Sequence, residues 1–356
     1  MKTDFFYLIP SALTIVYATY GSWFLISEIF TTLMPLTLIF TGALVCLVFI
    51  FRIPPPTTAS VEAVLGKIIE DPVGDNNGFV IKTIAHRGAG LDAPENTIEA
   101  FKKCHEKGCD IIELDVCLTA DQVPIVFHDT DLERMADMNV LIKNIKYEDL
   151  ANIDISVKHA YRDSFPNAHV PTLEQAVQQM LGMGQRIFID IKEPNSKIVP
   201  LIIKIFEKYP ELKTKAVVTS FFPNIIYLIR RSSPDIIGCL AWKADNFRHS
   251  SLKNSTFCNT KQMKVLKNAL FWILDCLHSW ALPRITYYVL GLSVILLHKD
   301  LVCSETIRNW RSKGVRVIVW TVNSPIEKQY MYRTLKIPYL TDTLTGETTV
   351  HSTMQS

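Results

Sequence analysis

From Ile81 onward the chain alternates between two patterns. Short apolar runs that read as buried strands fall at Ile81–Ala85, Ile111–Leu118, Val123–Phe127, Arg186–Ile191, Ala216–Thr219, Ile236–Leu240, Val315–Trp320 and Tyr339–Leu340. Stretches of helical character separate most of them: Thr172–Leu181, Ser196–Tyr209, Pro223–Arg231, Ser304–Lys313 and Ile326–Leu335. Between the first two runs Ile98, Phe101 and Cys104 recur at helical spacing, and Asn96 is placed to cap that helix. Strand, helix, strand within about thirty residues is a βαβ unit with parallel strands. Eight strands in such alternation predict an α/β fold, a closed (β/α)8 TIM barrel over residues 81–345.

Two apolar regions break this rhythm. Phe5–Ile26 and Ile29–Phe51 are each long enough to cross a bilayer, with only Ser27 and Glu28 between them. Residues 1–56 therefore read as a membrane anchor, either a tight hairpin of two spans or one span with a membrane-embedded partner. Tyr17, Tyr20 and Trp23 suit an interface, and Pro54-Pro55-Pro56 stiffens the exit. Residues 57–80 read as a linker with a short amphipathic lead-in and a turn at Gly74–Gly78, and residues 346–356 as a tail. The second region is an insertion, 243–303, after the strand counted sixth. A polar stretch, Lys243–Lys267, precedes two apolar halves, Ala269–Leu282 and Ile285–Leu297, hinged at Pro283-Arg284. Each half is too short to span alone, and the later strands must rejoin the barrel. The expectation is a helical hairpin lying in the membrane interface. It leaves from the C-terminal end of a strand, where α/β barrels keep their chemistry, so a site facing the membrane and an amphiphilic substrate are expected.

A formal net charge of +2 gives no sign of nucleic-acid binding. Eight cysteines without a CxxC pair read as buried free thiols. A disulfide among Cys239, Cys258 and Cys303 stays open for an exoplasmic domain. Asn254-Ser255-Thr256 is a glycosylation sequon. Lys2 and Arg52 flank the anchor: a hairpin would hold both ends in the cytoplasm, whereas a single span lets the barrel lie outside.

The candidate chemistry sits at strand ends. Glu113 and Asp115 are two apart on one strand, so both point to one face, the interior of a barrel near its rim. Two carboxylates this close repel unless a cation or a shared proton offsets them. A hard divalent cation fits, Mg2+ or Ca2+ before Zn2+; a bridge to Arg or Lys is the alternative. Asp190 ends RIFID and would add a third carboxylate, with Lys192 on the same face for a phosphate or as a structural partner of Asp190. His86-Arg87-Gly88 closes the first strand. Gly88 permits a sharp turn, and Arg87 suits two oxygens of a phosphate. His128-Asp129 closes the strand counted third. Two histidines at equivalent strand ends, with acids between, suit a general base and a general acid. Histidines 105, 159, 169, 249, 278, 298 and 351 show no such placement and read as non-catalytic.

These pieces occur in a telling order: HRG, PENT, ELDV, HD, an acid-x-Lys strand, Ser220-Phe221 and WTVN. Over about residues 81–345 the chain resembles the glycerophosphodiester phosphodiesterase family. Its anchor, its AHRG and DAPENT wording and its insertion resemble the animal integral-membrane type of that family. The resemblance implies a TIM barrel and a divalent cation, Mg2+ first and Ca2+ second, held by Glu113, Asp115 and Asp190. It implies His86 and His128 as the acid–base pair and Arg87 and Lys192 on the phosphate. Trp320 would line the alcohol-side pocket, and Glu95 and Asn96 would buttress the His86 loop. The reaction implied is hydrolysis of glycerophosphodiesters, of glycerophosphoinositol type, to glycerol 3-phosphate and an alcohol. The insertion adds glycerophospho-N-acylethanolamine as a second substrate type. The setting implied is an integral membrane protein of the plasma membrane or secretory pathway with an exoplasmic barrel.

Two departures stand out. The family usually has Glu where this chain has Asp190, and Arg134 is followed by Met135-Ala136-Asp137-Met138-Asn139 rather than the family's Arg-Thr-Thr and glycines. Two other readings stay open. One is a lysophospholipase D-type hydrolase acting on membrane lysophospholipids. The other is a non-catalytic membrane scaffold binding a signalling protein.

Overall fold

Strand β1 (Thr83–Ala85) pairs in parallel with both β2 (Ile111–Leu118) and β8 (Tyr339–Thr341), and this double pairing closes the barrel. The circuit runs on through β7 (Arg316–Trp320), β6 (Val294–His298), β5 (Ile237–Trp242), β4 (Ala216–Ser220) and β3 (Arg186–Ile191) back to β2, all parallel. The computed structural model describes residues 5–68, 79–243 and 261–345. Successive residues of a strand face opposite sides. Ile84, Ile111, Phe188, Val217, Ile237, Val294, Ile318 and Leu340 fill the barrel interior. Their neighbours Ile112, Ile187, Val218, Ile295 and Val317 pack outward against the helices. Burial on both faces explains why these strands read as continuous apolar runs.

Two strands differ from those expected. The run Val123–Phe127 does contain a strand, Pro124–Val126, but it pairs antiparallel with β2, Val116 opposite Val126, and lies outside the barrel. Parallel pairing needs a crossover of about a dozen residues, and the short loop after Leu118 cannot supply one. The missing barrel strand is β6, concealed within Ile285–Leu297. A short helix, Tyr287–Leu290, stops at Gly291 (φ +58°), and the chain turns there into VILLH. A Cβ on Gly291 would stand 2.2 Å from the Ile53 carbonyl oxygen, so the close approach requires glycine. The insertion thus follows the fifth barrel strand. The apolar hairpin is replaced by one helix, Lys261–Ala281, which runs through a wide turn at Leu282–Thr286 into barrel core.

The N-terminal segment is one continuous helix, Phe5–Phe51, with no break at Ser27-Glu28, so it is not a tight hairpin. Thr31 and Thr37 satisfy their hydroxyls on the Ser27 and Met34 carbonyls of the same helix. Val16–Phe51 is long and apolar enough to cross a membrane. Met1–Arg52 forms one unit and Ile53–Ser356 the other. Ile53 is buried in the second unit, which therefore begins before the expected end of the anchor at residue 56. The helix Thr58–Leu65, capped by Thr57, is barrel floor rather than linker. Val61, Val64 and Leu65 pack into the barrel interior. The first residues of β3 and β7, Arg186 and Arg316, donate to the Ala63 and Gly66 carbonyls.

Among the described residues the cysteines are free. Cys239 is buried in the barrel and Cys303 is exposed, so these two do not pair. The turn at Gly74–Gly78, Cys258, the sequon at Asn254 and the tail 346–356 lie outside the described residues.

Candidate active site

The C-terminal rim begins with the loop after β1. His86, Arg87 and Gly88 form a single tight turn in which Arg87 (φ 54°) and Gly88 (φ 72°) are both left-handed. Gly88 is packed against Phe101 and Ala100, and a Cβ there would meet them at 2.9–3.0 Å. The turn aims the Arg87 N–H at Glu113 Oε2, 2.7 Å away. The Arg87 guanidinium is engaged by carboxylates, Nη1 with Glu95 at 3.1 Å and Nε with Asp115 at 3.2 Å. Burial opposes its charge, but Asp115, Glu95 and Glu113 outweigh burial and raise its pKa.

Asn96 does not cap the following helix. Thr97 does, accepting from the Ala100 N–H at 3.2 Å. Asn96 is instead fully buried, left-handed (φ 59°), and turned onto Asp115. Its Nδ2 donates to Asp115 Oδ2 at 2.8 Å, and its Oδ1 accepts from the Asp115 N–H at 3.1 Å. Its own N–H donates to the Arg87 carbonyl at 2.8 Å.

Glu113, Asp115 and Asp190 meet at the barrel's inner wall, where β2 and β3 put Asp115 directly opposite Asp190. One oxygen from each lies within 4.8 Å of the others, and all three residues are buried. Burial, and then Asp115 and Asp190, push the Glu113 carboxyl well above its usual range. Burial pushes Asp115 the same way, but Lys192, Arg87 and the two histidines overcome it and hold Asp115 ionised. Lys192 Nζ contacts Asp190 Oδ2 and lies 3.1 Å from Asp115 Oδ1. Asp115 Oδ1 and Asp190 Oδ1 are buried without a hydrogen bond. Three hard oxygen donors, with Asp190 Oδ1 buried and unpartnered and Asp115 Oδ1 met only by the Lys192 charge, fit a divalent cation of the Mg2+ or Ca2+ kind.

Each histidine is tied to a carboxylate through Nδ1. His86 Nδ1 lies 2.5 Å from Asp342 Oδ1, on the loop after β8. His128 Nδ1 lies 2.7 Å from Asp129 Oδ1. Asn323 grips Asp342 from two sides, Nδ2 donating to Oδ2 at 2.8 Å and Oδ1 accepting the Asp342 N–H at 2.8 Å. Arg134 Nε donates to Asp129 Oδ2 at 2.6 Å, and its Nη atoms donate to Glu95 at 3.0 and 2.5 Å. A continuous chain of polar contacts therefore runs His128–Asp129–Arg134–Glu95–Arg87–Asp115.

The opposite side of the rim is aromatic. Trp320 ends β7 and makes edge contacts with Phe221, just past β4, at 5.6 Å, and with His298 at 5.1 Å. His298 ends β6 in register with Trp320, a strand-end placement that the reading of Ile285–Leu297 as membrane hairpin had concealed. Lys192 bridges the two sides, its Nζ 5.4 Å from the Phe221 ring centre. All the expected site residues therefore lie at one mouth. Asp342, Asn323 and Arg134 were not anticipated, although Asn323 lies within the WTVN motif and Asp342 follows the last strand.

The fold and the rim together define a (β/α)8-barrel enzyme whose carboxylates, histidines and cationic side chains converge at the C-terminal ends of the strands. Residues 86–344 match the glycerophosphoryl diester phosphodiesterase family, and the chain belongs to it. It is 30% identical to glycerophosphodiester phosphodiesterase 1 of Bos taurus over 311 residues, covering 87% of this chain and 89% of that one. A glycerophosphodiester phosphodiesterase of Agrobacterium tumefaciens shares the fold, with a TM-score of 0.54 at 19% identity over 74% of this chain and 96% of that one. So does an Oleispira antarctica phosphodiesterase solved with the product sn-glycerol-3-phosphate, with a TM-score of 0.56 at 18% identity over 73% of this chain and 92% of that one. The protein is an enzyme of this class, a glycerophosphodiester phosphodiesterase.

Proposed function

We propose that the protein hydrolyses glycerophosphodiesters, of glycerophosphoinositol or glycerophospho-N-acylethanolamine type, to sn-glycerol 3-phosphate and an alcohol, with His86 and His128 as its acid–base pair. The observation that carries this reading is the buried Glu113–Asp115–Asp190 cluster between two histidines, each tied to a carboxylate. The product held by the Oleispira relative supports the glycerol 3-phosphate half. In this reading Glu113, Asp115 and Asp190 would hold a divalent cation, Mg2+ in the first place, which would supply positive charge against the phosphoryl oxygens.

The chain's own groups do the rest. The Nδ1 contacts to Asp342 and Asp129 leave Nε2 of each histidine for the substrate. One histidine takes a proton from the attacking oxygen as the new P–O bond forms, either of water directly or of the glycerol 2-hydroxyl, in which case the cyclic phosphate formed is opened by water in a second step to give glycerol 3-phosphate. The other gives a proton to the departing alkoxide as the old P–O bond breaks. Lys192, charged because Asp190, Asp115 and Glu113 outweigh its burial, and Arg87 bring positive charge to the phosphate side. Trp320, with Phe221 and His298 against it, lines the alcohol side. The long apolar helix Val16–Phe51 serves as the membrane anchor in this reading, and the barrel lies on the exoplasmic side.

The test is release of sn-glycerol 3-phosphate from glycerophosphoinositol by the full chain with Mg2+, Ca2+ or EDTA. Metal-dependent release that Glu113→Ala and His128→Ala both abolish is expected. Release that survives EDTA or either substitution would overturn the proposal.

A further inference from the structure

The helix Lys261–Ala281 carries an apolar stripe on the side that faces away from the protein. Its outward stripe is Leu270, Ile273, Leu277 and Trp280, spaced three, four and three residues apart, with Trp272 beside it. These five are 46–57% exposed. Its inward side holds a carboxylate: Asp275 is only 6% exposed, and His278 one turn on is half-buried. A helix on a barrel exterior normally turns leucines to the core and acids to water. Apolar side chains turned outward, with a carboxylate turned inward beside Phe271 and Leu274, suit an apolar medium outside the protein.

Three further observations choose the medium. Lys267 and Arg284 stand at the two ends of the stripe. Each lies over an aromatic ring of the same segment, Lys267 Nζ 5.7 Å from Phe271 and the Arg284 guanidinium 5.3 Å from Trp280. Cations with aromatics at the ends of an apolar face match the headgroup level of a bilayer. The end of the insertion is also stitched, at the N-terminal end of the barrel, to the first residues after the long apolar helix. The Ile53 N–H donates to the Val289 carbonyl at 2.9 Å. The fully buried Arg230 donates to the Pro54, Leu290 and Gly291 carbonyls. In the chain Arg52 alone lies between Phe51, the last residue of that helix, and Ile53. Finally, the insertion begins just beyond Trp242, at the rim where the catalytic groups lie.

We propose that the helix Lys261–Ala281 lies in the surface of the bilayer on its Leu270–Ile273–Leu277–Trp280 face, with Lys267 and Arg284 at the phosphates, and so lays the Trp242 side of the barrel against the membrane. The kinetic consequence, which rests on the hydrolase reading above, is preference for a diester whose alcohol carries a long acyl chain.

The test uses the full chain in phosphatidylcholine vesicles. Cys46, Cys258, Cys276 and Cys303 are replaced by Ser, and Leu277→Cys carries an environment-sensitive nitrobenzoxadiazole dye; Ser312→Cys is the water-exposed control. Blue-shifted emission at position 277, quenched by half or more by lipids spin-labelled near the headgroup, with no quenching at 312, is expected. Equal quenching at the two positions would overturn docking, as would crosslinking of 277 to a second copy without lipid quenching. The kinetic arm compares wild type with Ile273→Glu/Leu277→Glu. Turnover of water-soluble glycerophosphoinositol in detergent should be unchanged, which also shows that the variant folds. Turnover of a vesicle-embedded long-chain diester should fall tenfold or more, and an equal rate would overturn the kinetic consequence. Failure of wild type to cleave any diester would instead strike the hydrolase reading and leave the quenching result standing.

Discussion

His86 Nδ1 and Asp342 Oδ1 stand 2.5 Å apart although 256 residues separate them in the chain. The barrel brings them together because β1 and β8 are neighbours, Ala85 paired with Thr341. A carboxylate on Nδ1 sets the tautomer and the ring angle, leaving Nε2 for proton transfer. Replacing Asp342 with Asn should lower turnover about a hundredfold with a small change in KM. Turnover within threefold of wild type would show that His86 needs no such partner.

The same carboxylate gives a pH signature. Burial raises the Asp342 carboxyl, but its hydrogen bond and charge contact with His86, and then Asn323 and Arg87, hold it below its usual range. A carboxylate with a depressed native pKa adds stability that is present above its unfolded value, about 3.9, and lost as pH falls through the lower native value. Wild type should lose stability more steeply below about pH 4 than Asp342→Asn. Urea midpoints measured at half-unit intervals between about pH 5 and 2.5 would show it.

Asn96 and Asp115 form a second buried clamp. Asn96→Ala leaves Asp115 short of two hydrogen bonds and puts alanine at φ 59°. A loss of about 3 kcal/mol in urea unfolding is expected. A loss under about 1 kcal/mol would mean that solvent replaces the clamp.

Much of this was legible in the sequence. Glu113 and Asp115 fall two apart on a strand, so their shared inward face follows from the pleat alone. The rhythm of runs and helices indicated a barrel. Other features were hidden for physical reasons. Only Leu292-Ser293 separates YYVLG from VILLH, so an apolar helix and a buried strand merged into one run. The Asp342–His86 and Asn323–Asp342 contacts depend on strands meeting at closure, which no local pattern reports. Arg134 sits in the loop that departs from the family wording, and its role appears only when Glu95 arrives from another part of the rim.

Arg134 joins Asp129 to Glu95 with a planar fork, so its geometry matters beyond its charge. Arg134→Ala should lower turnover about tenfold, and Arg134→Lys should recover little of it. Full recovery with lysine would reduce its role to a point charge.

Three buried carboxylates with mutual repulsion should make the fold respond to a cation. Millimolar Mg2+ or Ca2+ should raise Tm over the EDTA value by several degrees, about 1–3 kcal/mol of stabilisation. Glu113→Gln should abolish the response. A wild-type Tm indifferent to both cations would remove the metal from the mechanism.

The proton roles of His86 and His128 can be separated with two leaving groups. Turnover of glycerophosphoinositol is compared with that of glycerophospho-4-nitrophenol, whose alcohol departs without a proton, in His86→Ala and His128→Ala. One variant should lose both substrates. The other should lose glycerophosphoinositol by about 100-fold or more yet keep most nitrophenyl activity. Equal losses on both substrates in both variants would contradict a divided acid–base pair at this rim.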